Sequence, residues 1–203
     1  MVVIAIDPGP EESAYVIVDY SALQIISAVK CRNENVLHAI DGAKSLCDKL
    51  IVEMIASQGM AVGHTVFECC CWIGRYIERW GRDCELIYRH EEKTWICGNS
   101  RAKDKNIRQA LIDMFGGQFV AIGNKKCPVC KGKGYTGRSR EVCVECKGAG
   151  WKYPPGPLCG ISGDVWAALA VAVTYGLKNK LLTFSGTLLE VRDKSFQLPD
   201  RDT

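Results

Sequence analysis

Two Cys-x-x-Cys turns constrain this chain more than any other feature. They read Cys127-Pro-Val-Cys130 and Cys143-Val-Glu-Cys146, and twelve residues separate them. Zinc prefers four tetrahedral thiolate or imidazole ligands, and two such turns present four sulfurs that can converge on one ion. The surrounding segment, 124–152, is rich in glycine and has no apolar periodicity, so it has too little material to bury four thiols in a core of its own. The turns therefore predict a closed structural zinc site in a small ribbon, with no open position for hydrolysis.

The same segment is strongly basic. It carries eight Lys or Arg residues against Glu141 and Glu145, a formal charge of +6, which four thiolates on Zn²⁺ reduce to +4. The remainder of the chain is slightly acidic, because the whole chain carries only +3. A basic, glycine-rich lobe suits phosphate backbones, although a merely solvated charged loop is the alternative. The lobe residues predicted to contact DNA are Lys131, Lys133, Arg138 and Arg140.

Composition excludes several classes of protein. The 203 residues are 47% hydrophobic and 24% charged, close to an average globular domain, which argues against disorder, collagen and coiled coil. The longest apolar run, 165–177, is shorter than the roughly 20 residues of a membrane span. Asp7 and Pro8 interrupt what would be the apolar part of a secretion signal. We therefore expect a cytoplasmic protein with no membrane span, in which the twelve cysteines are thiols or metal ligands.

Outside the basic segment, the hydrophobic pattern predicts an α/β fold. Three β-type runs at 2–6, 14–19 and 23–29 read as an antiparallel meander, and further strands are predicted at 64–69 and 85–88. Apolar spacing of three and four predicts helices at 35–57, 72–82, 104–115 and 164–177. This alternation implies parallel strands joined by crossovers. We expect a core formed by 1–123 and 153–180, a zinc-binding insertion at 124–152, and a C-terminal tail at 181–203.

Three acidic residues stand at the ends of predicted elements. Asp7 follows the first strand, Glu68 ends the predicted strand 64–69, and Asp164 begins the last helix. The first and fourth strands of such a sheet can be neighbours, so the three carboxylates can converge. Together they would repel each other unless a hard cation such as Mg²⁺ were present. Taken singly, each has an ordinary explanation: a turn former, an exposed strand end and a helix cap.

Several short stretches together resemble a known family. They are Ile4-Ala-Ile-Asp7-Pro-Gly9, Val66-Phe-Glu68, the lysine-containing stretch 101–115, and Asp164-Val-Trp-Ala-Ala. Their order and spacing resemble the RuvC family of Holliday-junction resolvases, within the RNase H-like superfamily, and especially its phage-encoded members. The zinc turns resemble the Cys-x-x-Cys-x-Gly-x-Gly repeat of the DnaJ cysteine-rich domain.

The resemblance implies a mixed five-stranded RNase H-like sheet flanked by helices. It also implies a homodimeric endodeoxyribonuclease, dependent on Mg²⁺ or Mn²⁺ and on no nucleotide cofactor, that cuts four-way DNA junctions by two-metal hydrolysis; a phage protein would act in the host cytoplasm. By position, Asp7, Glu68 and Asp164 match the metal-binding acids, and Ala167 stands where the family has a further aspartate. Lys105 matches a catalytic basic residue, and Arg101, Lys103 and Lys105 are expected to contact DNA.

Three other interpretations remain open from the residues alone. One is a nuclease of the same fold acting on other branched DNA or on RNA–DNA hybrids. Another is a catalytically silent, zinc-containing DNA-binding protein, in which Ala167 marks a lost site. The third is a DnaJ-like protein-binding module. Metal-dependent cleavage would exclude the second, and nucleic-acid binding would argue against the third.

Overall fold

A mixed five-stranded sheet forms the centre of the computed structural model, which describes residues 1–56, 62–137, 139–184 and 188–191. Its strands are β1 (Val2–Asp7), β2 (Glu12–Asp19), β3 (Gln24–Arg32), β4 (Lys49–Met54) and β5 (Cys84–Tyr88). They lie in the order β3-β2-β1-β4-β5. The first three form the antiparallel meander, whereas β4 and β5 run parallel to β1. This arrangement confirms the predicted fold class.

Helices cover both faces of the sheet. The apolar side chains of α1 (Asn33–Ala43) and α2 (His64–Trp80) pack on one face, and those of α3 (Arg89–Cys97), α4 (Asp104–Met114) and α5 (Val165–Lys178) pack on the other. A π-helical turn, Gln118–Ile122, follows α4. Within the described residues, no helix combines the length and the apolar character needed to cross a bilayer.

The central strand β1 is buried on both sides. Val3 and Ala5 face the α5 layer, while Ile4 and Ile6 face the α1–α2 layer. Because neither face meets water, the strand reads as an unbroken apolar run. The same alternation places Asp7 on the α5 face, two residues beyond Ala5.

The predicted last helix is present as α5. Its small residues allow a close approach to the sheet: the Tyr20 hydroxyl donates a hydrogen bond to the Ala172 carbonyl oxygen at 2.6 Å. A Cβ on Gly176 would come within 2.6 Å of the Leu182 side chain. Eleven residues of this helix are buried, which explains why its sequence has no polar face.

The helix predicted at 35–57 is wrong in its second half. The helix α1 ends at Ala43, and the chain then enters β4. The run Leu50-Ile51-Val52 is buried on both sides, so it has no polar alternation to distinguish a strand from a helix. Its position between β1 and β5 comes from long-range pairing.

The strand predicted at 64–69 is also wrong. These residues begin α2, which continues through the separately predicted helix at 72–82 as far as Trp80. The buried residues Cys69, Ile73, Tyr76 and Trp80 follow helical spacing along one face. The sequence also gave no indication of α3.

The basic segment folds as a small lobe of paired two- and three-residue strands. The strand β6 (Lys125–Lys126) pairs with β9 (Trp151–Tyr153), and β7 (Tyr135–Thr136) pairs with β8 (Glu141–Val142). Near the C-terminus, β10 (Leu182–Phe184) pairs with β11 (Leu189–Val191). Residues 185–187 and 192–203 of the predicted tail lie outside the described residues.

Candidate active site

The register of the sheet brings Asp7 and Glu53 together. Ile6 lies opposite Val52 in the parallel β1–β4 pair, and the next step along both strands reaches the two acids. Both point toward the α5 layer, as Ala5 and Ile51 do. The Asp7 and Glu53 carboxyl groups lie close enough to shift the pKa of each other, and a proton on one of them would let the two share a hydrogen bond.

Burial makes this pair electrostatically strained. Burial and the Glu53 carboxylate raise the pKa of Asp7 from 3.8 to about 8, and Asp164 adds to the rise. Burial also raises the pKa of Glu53, whose side chain is only 14% exposed, although Arg89 and a hydrogen bond from a protonated Asp7 oppose that rise. Two carboxyl groups that cannot both ionise without a counter-charge are suited to a divalent cation.

The loop that follows Asp7 is fixed by a buried polar network. The Ser13 hydroxyl accepts a hydrogen bond from the Gly9 N–H at 3.0 Å and donates one to the Asn33 Oδ1 at 2.7 Å. The Asn33 amide donates back to the Gly9 and Pro10 carbonyl oxygens. Since both Ser13 and Asn33 are buried, the network holds the Asp7 end of β1 in one position.

Asp164 reaches the site from the start of α5. Its carboxylate does not cap the helix; instead it forms an ion pair with Lys30 on β3, at 2.9 Å. Lys30 also pairs with Glu12 at 3.4 Å. The Asp164 side chain is 57% exposed, so it lies at the open edge of the site and contributes to the raised pKa of Asp7 from there.

Arg89 links Glu53 to two further carboxylates at this end of the sheet. It follows Ile87, which pairs with Glu53, and its guanidinium lies 3.9 Å from Glu53 and 2.7 Å from Asp104. It also donates to Glu92, which is fully buried. Burial and Glu53 raise the pKa of Glu92 to about 9, and its Oε1 has no hydrogen-bond partner among the described residues. Arg89 therefore orders the acids and offsets part of their charge.

A small cavity of about 110 Å³ opens beside Asp164. Arg108, whose guanidinium packs 4.9 Å from the Trp166 ring centroid, contributes a second positive charge to its wall. Ala167 leaves room where a carboxylate was expected, but Asp104 faces the same space. The ionisable residues of the wall are thus Arg89, Asp104, Arg108 and Asp164.

Glu68 does not take the position predicted for it. It lies on α2, 44% exposed, and its carboxylate is 3.4 Å from His64. The sequence pattern predicts Glu68 beside Asp7, as the acid that ends the strand next to β1. That strand is β4, and Glu53 is the acid at its end. Glu53 thus takes the position that we expected for Glu68.

Lys105 lies outside the small cavity. It is exposed near the start of α4 and lines a larger groove of about 650 Å³ together with Arg101 and Lys103. The start of α4 is fixed by the Lys103 N–H, which donates to Asn106 Oδ1 at 3.0 Å. Asp104 faces the small cavity while its neighbours Lys103 and Lys105 face the groove, so the two openings adjoin. The predicted roles of these basic residues stay predictions.

The four cysteines of the basic lobe converge as a metal site requires. Their sulfur atoms all lie within 4.8 Å of one another, with Cys127 to Cys143 at 3.9 Å and Cys130 to Cys146 at 3.6 Å. A tetrahedron with Zn–S bonds of about 2.3 Å has sulfurs roughly 3.8 Å apart, whereas a disulfide bond is about 2.05 Å long. The donor set and its spacing fit zinc.

Backbone donors support the sulfurs from outside. The Gly134 N–H donates to Cys130 Sγ at 3.3 Å, and the Gly150 N–H donates to Cys146 Sγ at 3.2 Å. A Cβ on Gly134 would meet the Gly148 carbonyl oxygen at 2.4 Å, so the repeated glycines allow the two halves to pack closely. Such outer bonds orient the ligands of a metal site.

The predicted DNA contacts of the lobe are distributed around this site. Lys131 and Lys133 line a shallow depression, and the Arg140 guanidinium lies 5.5 Å from the Tyr135 ring centroid. Arg138 lies outside the described residues. The basic face is thus contributed by side chains around the cysteines, not by the cysteines themselves.

Sequence reasoning missed Glu53, Arg89, Glu92 and Asp104. A signal existed for Glu53, because Leu50-Ile51-Val52-Glu53 repeats the pattern of three apolar residues and an acid seen at Ile4-Ala5-Ile6-Asp7. If both runs are neighbouring parallel strands, each ends in an acid at the same edge of the sheet, and the two acids lie side by side. Arg89 and Glu92 follow an ordinary helix pattern and gave no such signal.

Comparison with known proteins identifies the fold. No protein-family model and no curated protein sequence matches the chain. Among solved structures, Thermus thermophilus RuvC matches with a TM-score of 0.51 and 14% identity, over 89% of this chain and 96% of that one. RuvC of the same organism in complex with a Holliday junction substrate matches with a TM-score of 0.50 and 15% identity, over 89% and 95%. The chain therefore has the fold of RuvC, with a four-cysteine lobe compatible with zinc.

Proposed function

From this RuvC fold we propose that the protein is a metal-dependent endodeoxyribonuclease that cuts branched DNA, with the four-way junction as its substrate. The observation that carries the proposal is the buried Asp7–Glu53 pair, with Asp164 at the same end of the sheet. Two buried carboxyl groups that face each other are rare where side chains serve only stability, because their negative charges repel each other. The match to a RuvC bound to a Holliday junction substrate supports the choice of DNA.

The acids fit a divalent cation. Asp7, Glu53 and Asp164 would hold Mg²⁺ or Mn²⁺, since hard cations prefer carboxylate oxygens. Bound there, such ions would activate water and stabilise the charge that develops on the scissile phosphate. Asp104 faces the cavity beside Ala167, and we propose that it supplies the carboxylate which Ala167 lacks.

The basic residues around the acids would position the DNA. Arg89 holds Glu53 and Asp104 in place, and Arg108 points a positive charge into the cavity where the phosphate would lie. We propose that Lys105, with Arg101 and Lys103, binds the backbone along the adjoining groove. We propose that Lys131, Lys133 and Arg140 of the basic lobe make further contacts with the DNA backbone.

Resolution of a junction needs two symmetric cuts, so we propose that the protein acts as a homodimer with one site in each copy. Light scattering on the purified protein tests this directly, with twice 22.4 kDa as the expected mass. None of the twelve cysteines forms a disulfide bond in the structure, which favours a reducing compartment such as the cytoplasm for this activity.

Cleavage of a labelled four-way junction in Mg²⁺ is the decisive experiment. Linear duplex and an RNA–DNA hybrid serve as substrate controls, and Asp7→Asn as the enzyme control. Paired nicks at the junction that vanish in the variant would support the proposal. Cleavage of the hybrid alone would keep the fold and change the substrate. Tight junction binding without cleavage, in Mg²⁺ and in Mn²⁺, would favour the silent DNA-binding protein that Ala167 also permits.

A further inference from the structure

The zinc lobe has a depression that the acidic site does not use. It has a volume of about 190 Å³ and lies on the first Cys-x-x-Cys turn, between Val129, Tyr135 and two lysines. Pockets for drug-sized ligands occupy roughly 300–1,000 Å³. The depression is thus the right size for a single flat ring and too small for a folded peptide segment.

Its walls combine apolar and aromatic surface that remains open to solvent. The Val129 side chain is 58% exposed and Tyr135 is 36% exposed. The Arg140 guanidinium lies 5.5 Å from the Tyr135 ring centroid, which adds a cation to the aromatic side. Because Val129 and Tyr135 line the same depression, they form one continuous apolar surface and not two scattered exposed side chains.

Two ammonium groups flank this apolar surface. Lys131 and Lys133 are both exposed, and none of the described residues that line the depression is acidic. Lys131 has a left-handed backbone, with φ of +51°. An aromatic wall flanked by free cations is the arrangement that proteins use for single-stranded nucleic acid: bases stack on the ring and phosphates meet the charges.

The second half of the lobe shows that zinc binding does not require these residues. Both halves share the cysteines, the glycines and a lysine in the left-handed conformation, Lys131 and Lys147, with φ of +51° and +49°. The second half has Glu145 where the first has Val129, and Ala149 where the first has Lys133. Both halves have an aromatic residue after their last glycine, Tyr135 and Trp151, so what distinguishes the first half is the pairing of its aromatic residue with Val129 and a second lysine, Lys133.

We propose that this depression binds one unpaired nucleotide of DNA, with the base against Tyr135 and Val129 and the adjacent phosphates at Lys131 and Lys133. The choice of DNA rests on the proposed function, since base pairs that open at a branch point would expose unpaired bases to the protein. The zinc lobe would then recognise an open strand and not simply the charge of a duplex.

Fluorescence anisotropy with a short labelled oligothymidylate tests the proposal. The full-length, zinc-loaded chain is used with Asp7→Asn to prevent cleavage, and an otherwise identical abasic oligomer serves as the ligand control. We expect Tyr135→Ala to weaken oligothymidylate binding by about 5-fold or more, and Tyr135→Phe to preserve it, because base–aromatic stacking requires the ring only. Binding of the abasic oligomer should be weaker from the start and insensitive to Tyr135→Ala.

A charge-matched pair of variants separates the depression from the general charge of the lobe. Lys131→Gln with Lys133→Gln should weaken oligothymidylate binding more than Lys147→Gln with Lys152→Gln, although each pair removes two positive charges. Zinc content and the melting temperature confirm that each variant is folded. Equal losses in both pairs, or equal binding of the abasic oligomer, would overturn the proposal. Preference for a permanently unfolded polypeptide over the oligomer would overturn it in favour of protein binding.

The two proposals fail separately. The protein could cleave no substrate and still bind oligothymidylate through Tyr135. That result would support the proposed nucleotide site and contradict the proposed nuclease. Conversely, the wild type could cleave junctions normally while Tyr135→Ala changes neither oligomer nor junction binding. That result would support the proposed nuclease and contradict the proposed nucleotide site.

Discussion

At the Asp7 side chain, a proton and the proposed metal ion would compete for the same place. The burial of Asp7 beside Glu53 raises the pKa of Asp7 to about 8, so the metal-free protein keeps a proton there that an unfolded chain would release. A group whose pKa is raised on folding contributes stability below its ordinary pKa, and that stability is lost as the pH rises through the folded value. The candidate site is thus a source of instability that a cation would relieve.

The raised pKa of Asp7 predicts how Asp7→Asn changes the dependence of stability on pH. With no Mg²⁺ added and no chelator that would remove zinc, the melting temperature of the wild type should fall between about pH 4 and pH 8 more than that of the variant, which has no carboxyl group at position 7. Each kcal/mol corresponds to about 2–4 °C for a chain of this size. Addition of Mg²⁺ at high pH should raise the melting temperature of the wild type and leave the variant almost unchanged. Parallel curves for the two proteins would show that Asp7 is not strained.

Glu53 and Glu68 make a matched test of the site. Glu53→Gln removes an acid that lies beside Asp7, so we expect a loss of junction cleavage of at least about 100-fold, more than the loss typical of residues that only support a metal ligand. Glu68→Gln removes a half-exposed acid that pairs with His64, so cleavage should stay within about 3-fold of the wild type. Single-turnover cleavage rates of the two variants provide the measurement. A large loss in Glu68→Gln with little change in Glu53→Gln would indicate that Glu68, and not Glu53, belongs to the site.

At the scale of elements, the turn between β1 and β2 determines where Asp7 points. A Cβ at Gly9 would come within 2.2 Å of the Glu12 carbonyl oxygen, so the turn cannot accept a side chain without moving. The buried Ser13–Asn33 bonds then fix the same loop to the start of α1. The position of Asp7 therefore depends on the backbone geometry of this turn.

Gly9→Ala should destabilise the protein and weaken cleavage together. We expect the free energy of unfolding in urea to fall by about 1–3 kcal/mol, as for other changes that force a backbone shift. Gly42→Ala is the control, because a Cβ there meets nothing within 4 Å and the position lies in α1. That change should be neutral or stabilising by about 0.5–1 kcal/mol. Equal destabilisation by both would remove the special role of the turn.

The zinc lobe depends on its metal, because it has almost no core beyond Cys127, Cys130 and Cys143. Cys127→Ser should release the zinc measured by elemental analysis and expose the lobe to proteolysis, while the sheet domain remains folded. Cys71→Ser is the control: that thiol is exposed on α2, and zinc content should not change. Loss of the sheet domain's thermal transition in Cys127→Ser would show that the two parts fold as one unit.

At the scale of the whole molecule, the lobe and the sheet domain are joined by a narrow connection. The chain enters at β6 and leaves at β9, and the Asn124 N–H donates to the Pro154 carbonyl oxygen at 3.2 Å just outside this pair. The two ends are thus already adjacent. A short glycine linker in place of the lobe should leave the sheet, and the acids at its edge, in place.

Replacement of the lobe tests what it contributes to DNA binding. Each phosphate contact contributes about −0.9 to the slope of log affinity against log salt on duplex DNA. We expect junction binding by the shortened protein to be weaker and its salt slope to be shallower by roughly two to four. Anisotropy titrations at several salt concentrations measure both, with Asp7→Asn in each protein to prevent cleavage. An unchanged slope would show that the lobe does not touch the phosphates.

The amino-acid sequence alone determined the features that depend on local spacing. Four cysteines in two turns predicted a metal site, and the charge of the surrounding segment predicted a basic lobe. The antiparallel strands and the buried helix α5 were predicted from the hydrophobic pattern of short stretches of the chain. The resemblance of short motifs led to the fold that the comparison confirms. Tertiary structure decided which acid faces Asp7, because β4 pairs with β1 across 46 residues and a run buried on both sides carries no period to reveal it. It also brought Arg89, Glu92 and Asp104 beside Glu53, because the starts of α3 and α4 meet the end of β4 only in the folded chain.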